Sequence, residues 1–156
     1  MENPFNTDNT PKRSTLLTVL LVLTFIYSGL SFISNSYVSL FTNQVIEFVE
    51  YLADDDAMAT VATVLEQSVR TIEKFGSLGY GLVALLYLVS LIGAYLMWKL
   101  NKHGFHFYAA AQIVLLLTPM LFGTAKFPTL FPIMITAFFI FMYARELKVF
   151  EKTTEE

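Results

Sequence analysis

Nineteen consecutive residues near the start of the chain, Thr15 to Ile33 (TLLTVLLVLTFIYSGLSFI), contain no charged side chain. Twelve of them are Leu, Ile, Val or Phe, each favouring insertion into a bilayer by roughly 0.3–0.6 kcal/mol near a helix centre. That sum exceeds the smaller costs of the intervening Thr, Ser and Gly residues. A water-soluble fold has no use for so long an uninterrupted run, so the segment predicts a membrane-spanning helix. A cleaved signal sequence is the competing reading, because Lys12 and Arg13 precede the run. The run exceeds the roughly 7–15 residues of a signal core, and Ser34-Asn35-Ser36 is a poor cleavage site, which favours a retained anchor.

Three further apolar runs follow. Leu78 to Trp98 is uncharged and closed by Lys99. Phe105 to Phe122 is more mixed, with Tyr108, Gln112, Thr118 and Pro119 inside it. Thr129 to Ala144 is short, and sixteen residues rise only about 24 Å. Including Phe127 and Pro128, and letting Arg145 snorkel, brings it near the roughly 30 Å of the hydrocarbon core. Hydrophobic residues make up 55% of the 156-residue chain and charged residues 15%, an apolar excess gathered into these four runs. The expected fold is all-α: an integral membrane four-helix antiparallel bundle with spans at about 15–33, 78–98, 105–122 and 129–144, forming one domain over residues 1–156.

Orientation follows from the basic residues beside each run. Lys12, Arg13, Lys99, Lys102, Arg145, Lys148 and Lys152 lie on one side; Arg70, Lys74 and Lys126 lie on the other. Seven against three places residues 1–13, expected to be disordered, and the tail 145–156 in the cytoplasm. Tyr95, Trp98, Phe105 and Tyr108 gather at that boundary, where aromatic rings favour the headgroup layer.

The loop 34–77 is then external. It carries seven acidic and two basic residues. Phe41, Val45, Phe48, Val49 and Leu52 recur at helical spacing, and so do Met58, Val61, Leu65, Val69 and Ile72. Asp54, Asp55 and Asp56 lie between the two sets, where an aspartate can cap a helix starting at Ala57 and negative charge suits its positive end. Glu66 and Arg70 have the spacing of an i,i+4 pair. The loop therefore predicts an amphipathic two-helix cap between the first and second spans. Membrane-surface helices usually carry Lys or Arg on the polar face, whereas this loop is acidic, which favours packing onto protein over the outer leaflet. Either the bundle and the first cap helix bury the apolar stripe Val61, Leu65, Val69, Ile72, or it is a candidate partner surface.

Chemistry-bearing constellations are few. His103 and His106 flank Gly104, which is expected to end the second span as a left-handed cap, and no nearby carboxylate or cysteine supplies a third metal ligand. The aspartate triplet lacks the alternating ligands and terminal Glu of a calcium loop. With no cysteine in the chain there is no thiolate chemistry, and a net charge of −3 does not suit nucleic acid. None of the four runs contains Asp, Glu, Lys or Arg, the residues on which ion-coupled carriers and proton relays ordinarily depend. No catalytic, metal or cofactor-binding residue is assigned and no cofactor is expected.

Gln112 is the candidate intramembrane polar contact. It lies eight residues beyond Gly104, about 12 Å into the membrane, where an amide usually bonds across to another helix. Pro119 removes one backbone hydrogen bond and is expected to kink the third span. Ser90, Gly93 and Ala94 allow close helix approach, and Tyr80, Ala84, Tyr87 and Leu91 form a second stripe; both read as packing surfaces.

The segments RSTLLTVLLVLTFIYSGLSFIS and GAYLMWKLNKHGFHFYAAAQIVLLL resemble those of uncharacterised small four-span integral membrane proteins of bacteria. So does the order of basic N-terminus, long external loop and short cytoplasmic turn. The resemblance covers about a third of the chain. It implies a bacterial inner (plasma) membrane and carries over no functional residue. The function expected is non-enzymatic: an accessory or scaffolding subunit whose partners, besides the lipid bilayer, are other membrane or extracytoplasmic proteins, or further copies of itself. The alternative is a small transporter or channel, dimeric if so assembled, that uses Gln112 and the kinked third span.

Overall fold

The computed structural model describes residues 14–54, 60–124 and 130–154, with side chains described as far as Glu146. Residues 1–13, 55–59 (Asp55, Asp56 and Met58 among them), 125–129 and 155–156 lie outside the described residues. The described residues form five helices and no strand: α1 (Thr15–Leu40), α2 (Thr42–Ala53), α3 (Ala62–Trp98), α4 (His103–Leu121) and α5 (Leu130–Thr154). Three of them, α1, α3 and α4, are long and apolar enough to cross a membrane. Their outward side chains are those of a chain solvated by lipid. Leu78 is 90% exposed and Leu121 71%, a pattern that water does not tolerate over contiguous area.

Helix α1 starts where its apolar run starts, because Ser14 accepts a hydrogen bond from the Leu17 amide at 3.0 Å and caps the first turn. It does not stop where the run stops. Through Ser34–Leu40 polar side chains bond back onto the helix itself: Asn35 Nδ2 donates to the Ser31 carbonyl at 2.7 Å, and Thr42 Oγ1 to that of Val38 at 2.8 Å. Phe41 leaves helical geometry (φ −121°, ψ 35°) and bends the chain into α2. Asp54 closes α2 as its C-cap. Among the described residues helix resumes at Ala62 with Val61 as N-cap, after a turn at residues 60–61; the expected start at Ala57 lies outside them.

Helix α3 is one run of 37 residues broken at Gly76, whose φ of 59° and ψ of −178° are not helical. Few residues other than glycine adopt that conformation. Beside the break, Ser39 Oγ donates to the Ser77 carbonyl at 2.8 Å and Ser77 Oγ donates to the Ser39 carbonyl at 2.5 Å. The reciprocal pair fastens the bend at Phe41 to the break at Gly76. Beyond it, α2 packs on the first part of α3.

The turn between α3 and α4 departs from expectation. Gly104 does not cap α3; it lies inside α4 and is buried there. The left-handed residue is Leu100, at φ 60°. Its amide bonds the Met97 carbonyl while the Asn101 amide bonds that of Leu96, both at 2.9 Å, the paired bonds of a Schellman turn. The same closure recurs after α4, where Gly123 (φ 65°) takes the left-handed position and the Thr124 amide reaches the Pro119 carbonyl. Gly104 is needed elsewhere, because α4 crosses α3 at Gly93 with the backbones in contact.

The best-packed core lies near the ends of the helices that carry Ser14, Trp98, His103 and Glu146. There Leu17, Leu20 and Leu21 of α1 meet Ala94 and Met97 of α3, Tyr108 of α4 and Tyr143 of α5. The Tyr108 and Tyr143 rings meet edge to face with centroids 5.0 Å apart. Ser14 Oγ donates to the Glu146 carboxylate, joining the start of α1 to α5. Toward the other end Phe75 stacks on Phe122 at 4.8 Å. Helix α3 packs along both α1 and α4, whereas α5 meets α1 and α4 over a much shorter length.

Candidate functional site

The short contact of α5 follows from where its side chains go. Tyr143 is fully buried, its hydroxyl 2.7 Å from Thr24 Oγ1, so that half of α5 is anchored. At the other end Leu130 and Met134 are 72% and 62% exposed, and Phe131 is 73% exposed. Helix α5 meets α1 and α4 over a short length, and a cavity of about 610 Å³ lies between the three.

The floor of the cavity is a line of uncharged hydrogen bonds. Gln112 Nε2 donates to Ser90 Oγ at 3.1 Å, and Ser90 Oγ lies 3.2 Å from Ser28 Oγ. The three side chains tie α4 to α3 and α3 to α1. Ser28 and Ser90 are fully buried, so each needs the other. Gln112 is only half-buried and lines the cavity with Thr24, Ser28, Tyr108 and Thr136. Leu23, Ile26, Leu30, Phe131, Ile135 and Phe139 supply the apolar walls. Tyr27 stands at the edge, its hydroxyl 3.3 Å from that of Tyr87. No acid, base or histidine contributes to this lining. The arrangement can orient an uncharged molecule, and it has no group to carry a proton at neutral pH.

Of the residues singled out in the sequence, Gln112 falls on this cavity. The stripe Val61, Leu65, Val69, Ile72 does not; it lies in the first part of α3, where α2 packs. Val69 and Ile72 are buried, Leu65 is half-buried and Val61 is exposed. The most exposed large apolar side chains of α2 and the part of α3 before Gly76 are Phe48 and Tyr51 of α2, at 61% and 73%, with Val64 of α3 at 61%. His103 and His106 both belong to α4, one turn apart and exposed, rather than being separated by a helix end at Gly104. Among the described residues no third His, Asp or Glu joins them in a group that could hold a metal.

Thr24, Ser28 and Thr136 were not singled out, and Tyr108, singled out only as a boundary aromatic, is buried in the core. A trace of the first two is present in the sequence, since Thr24 and Ser28 are four apart and so share one face of an otherwise aliphatic helix. The comparisons add no relative: no protein-family model, no curated protein and no solved structure matches this chain.

Proposed function

We propose that the chain is a four-span protein of the bacterial inner membrane with both termini in the cytoplasm, acting without catalysis as an accessory or scaffolding subunit. Its partners on this reading are other membrane or extracytoplasmic proteins, and the pair formed by α2 and the first part of α3 is an external cap. The fourth crossing is supported by parity. Three crossings leave the end of α4 on the side opposite Ser14, yet Ser14 is hydrogen-bonded to Glu146. A return of the chain between residues 122 and 146, the stretch that holds α5, accounts for that bond and supports a fourth crossing.

The observation that carries the accessory role is the exposed apolar set Phe48, Tyr51 and Val64, interspersed with Glu47, Glu50 and Glu66 on helices that stand apart from the buried core. Exposed aromatics among acidic residues suit a protein surface better than an anionic membrane. The test is purification from native membranes in mild detergent, comparing the wild type with a Phe48→Asp/Tyr51→Asp variant. A stoichiometric protein partner lost in the variant, at unchanged stability, supports the role; no partner in either preparation sinks it.

A second reading is favoured by one specific observation, the cavity beside Gln112. A small carrier needs a route past polar groups within the bilayer, and the bundle is open there. Transport of a solute by reconstituted vesicles, abolished by Gln112→Leu, would establish it in place of the first.

A further inference from the structure

We propose that the cavity between α1, α4 and α5 is a binding site for an uncharged, lipid-like amphiphile that enters sideways from the bilayer, its hydroxyl or carbonyl held at Gln112. The proposal rests on the membrane placement of α1 and α4, not on the accessory role.

Size, chemistry and access all bear on the occupant. At about 610 Å³ the cavity falls within the roughly 300–1,000 Å³ of small-molecule sites. The walls are aliphatic and aromatic, and no charged side chain lines them. A charged headgroup drawn inside would lose its water and find no counter-ion, at a cost of many kcal/mol. A sugar or other fully polar solute would leave most of its hydroxyls unpaired against Leu23, Ile26, Ile135 and Phe139. An apolar tail with one or two neutral polar groups satisfies both limits.

The polar groups are arranged for such a molecule. Gln112 donates through Nε2 to Ser90, and its carbonyl Oε1 remains an acceptor on a side chain that is half-buried on the cavity wall. Thr136, also half-buried on the facing helix, brings a hydroxyl that both donates and accepts. A ligand hydroxyl can donate to Gln112 and accept from Thr136. Access is lateral, since α5 meets α1 and α4 over only a short length and the wall residues Phe131 and Ile135 are themselves 73% and 43% exposed. Gln112 is nine residues into α4, about 13 Å along its axis, which is hydrocarbon depth.

The experiment uses the full chain in lipid nanodiscs, with two photoreactive probes carrying the same diazirine acyl chain. One is a diacylglycerol, neutral with a free hydroxyl; the other is the corresponding phosphatidylglycerol, which is anionic. Labelled peptides are mapped by mass spectrometry. The diacylglycerol probe should label residues 23–30 and 131–139 at least fivefold over the rest of the lipid-facing surface. Unlabelled dioleoylglycerol should suppress that labelling, dioleoylphosphatidylglycerol should not, and the anionic probe should show no such preference. Ile135→Trp fills the cavity and should cut the specific labelling at least fivefold. If that variant does not fold, the competition measurement on the wild type decides alone. Equal labelling by the two probes, labelling insensitive to Ile135→Trp in a folded protein, or cross-links from the cavity to another polypeptide would each overturn the proposal. Absence of a copurifying protein would overturn the accessory role and leave this result standing.

Discussion

A Cβ placed on Gly104 would stand 2.5 Å from the Gly93 carbonyl oxygen, and one placed on Gly93 would stand 2.8 Å from the Gly104 carbonyl oxygen. The obstructing atoms are backbone, so they cannot swing aside; the helices themselves must separate. Gly104→Ala and Gly93→Ala should each lose about 1–3 kcal/mol or more, as overpacked sites do. Gly29→Ala is the control. It adds a methyl with nothing within 4 Å and should gain up to about 1 kcal/mol from helix propensity. Denaturant unfolding in detergent separates the two behaviours.

Gly76 offers a different kind of intolerance. Nothing lies within 4 Å of its added Cβ, but its φ of 59° and ψ of −178° strain any L side chain. Gly76→Ala should cost about 1–3 kcal/mol through conformation alone. Full stability in this variant would mean that the break is set by the Ser39–Ser77 pair rather than by the glycine.

Gln112→Leu should cost only about 0.6 kcal/mol, near the average for hydrogen bonds between helices in a membrane. Ser90 keeps Ser28 as a partner, so no buried hydroxyl is orphaned. Any cellular phenotype should survive on the accessory reading. A lost phenotype at unchanged expression and melting temperature would favour the carrier.

The helix pair formed by α2 and the first part of α3 divides into a structural side and a free side. Val69→Asp puts a charge where the native side chain is buried and should cost roughly 3 kcal/mol or more. Leu65→Asp, half-buried, should cost less. Tyr51→Asp should leave the melting temperature within experimental scatter while reducing recovery of any copurifying protein. Stability losses of similar size at all three positions would contradict the division.

Topology is open to a labelling test. Cysteines introduced singly at Asp55 and at Thr154 should behave oppositely toward a membrane-impermeant maleimide on intact cells, with only the Asp55 site reacting. Reaction at both sites would reject the four-span arrangement, and reaction at Thr154 alone would reject the cytoplasmic placement of the termini.

The chain's apolar runs are legible because bilayer insertion depends on composition over a window, which a sequence displays directly. Helix ends are less so. Hydropathy drops after Ile33 while α1 continues to Leu40, because Asn35 and its neighbours satisfy backbone carbonyls without leaving the helix. The turn Asn101–Gly104 misleads for a related reason. A glycine after Lys and His has the look of a helix cap, yet Leu100 accepts the left-handed geometry and Gly104 serves a crossing whose partner, Gly93, is eleven positions away. Ser90, Gly93 and Ala94 are recognisable as a packing face, but nothing local says that α4 of the same chain covers it. Gln112 announces itself by polarity. The cavity around it does not, since it arises from the short length over which α5 meets α1 and α4, and no single residue carries that information.

The serine pair between Ser39 and Ser77 has a mechanical meaning. Two uninterrupted helices would carry a sideways load on α2 straight down into the core around Met97 and Tyr143. Here both backbones are interrupted at the same height, at Phe41 and at Gly76, and are fastened to each other there. Such a load turns the joint first, as a head turns on a two-stranded neck, and the shaft below keeps its packing.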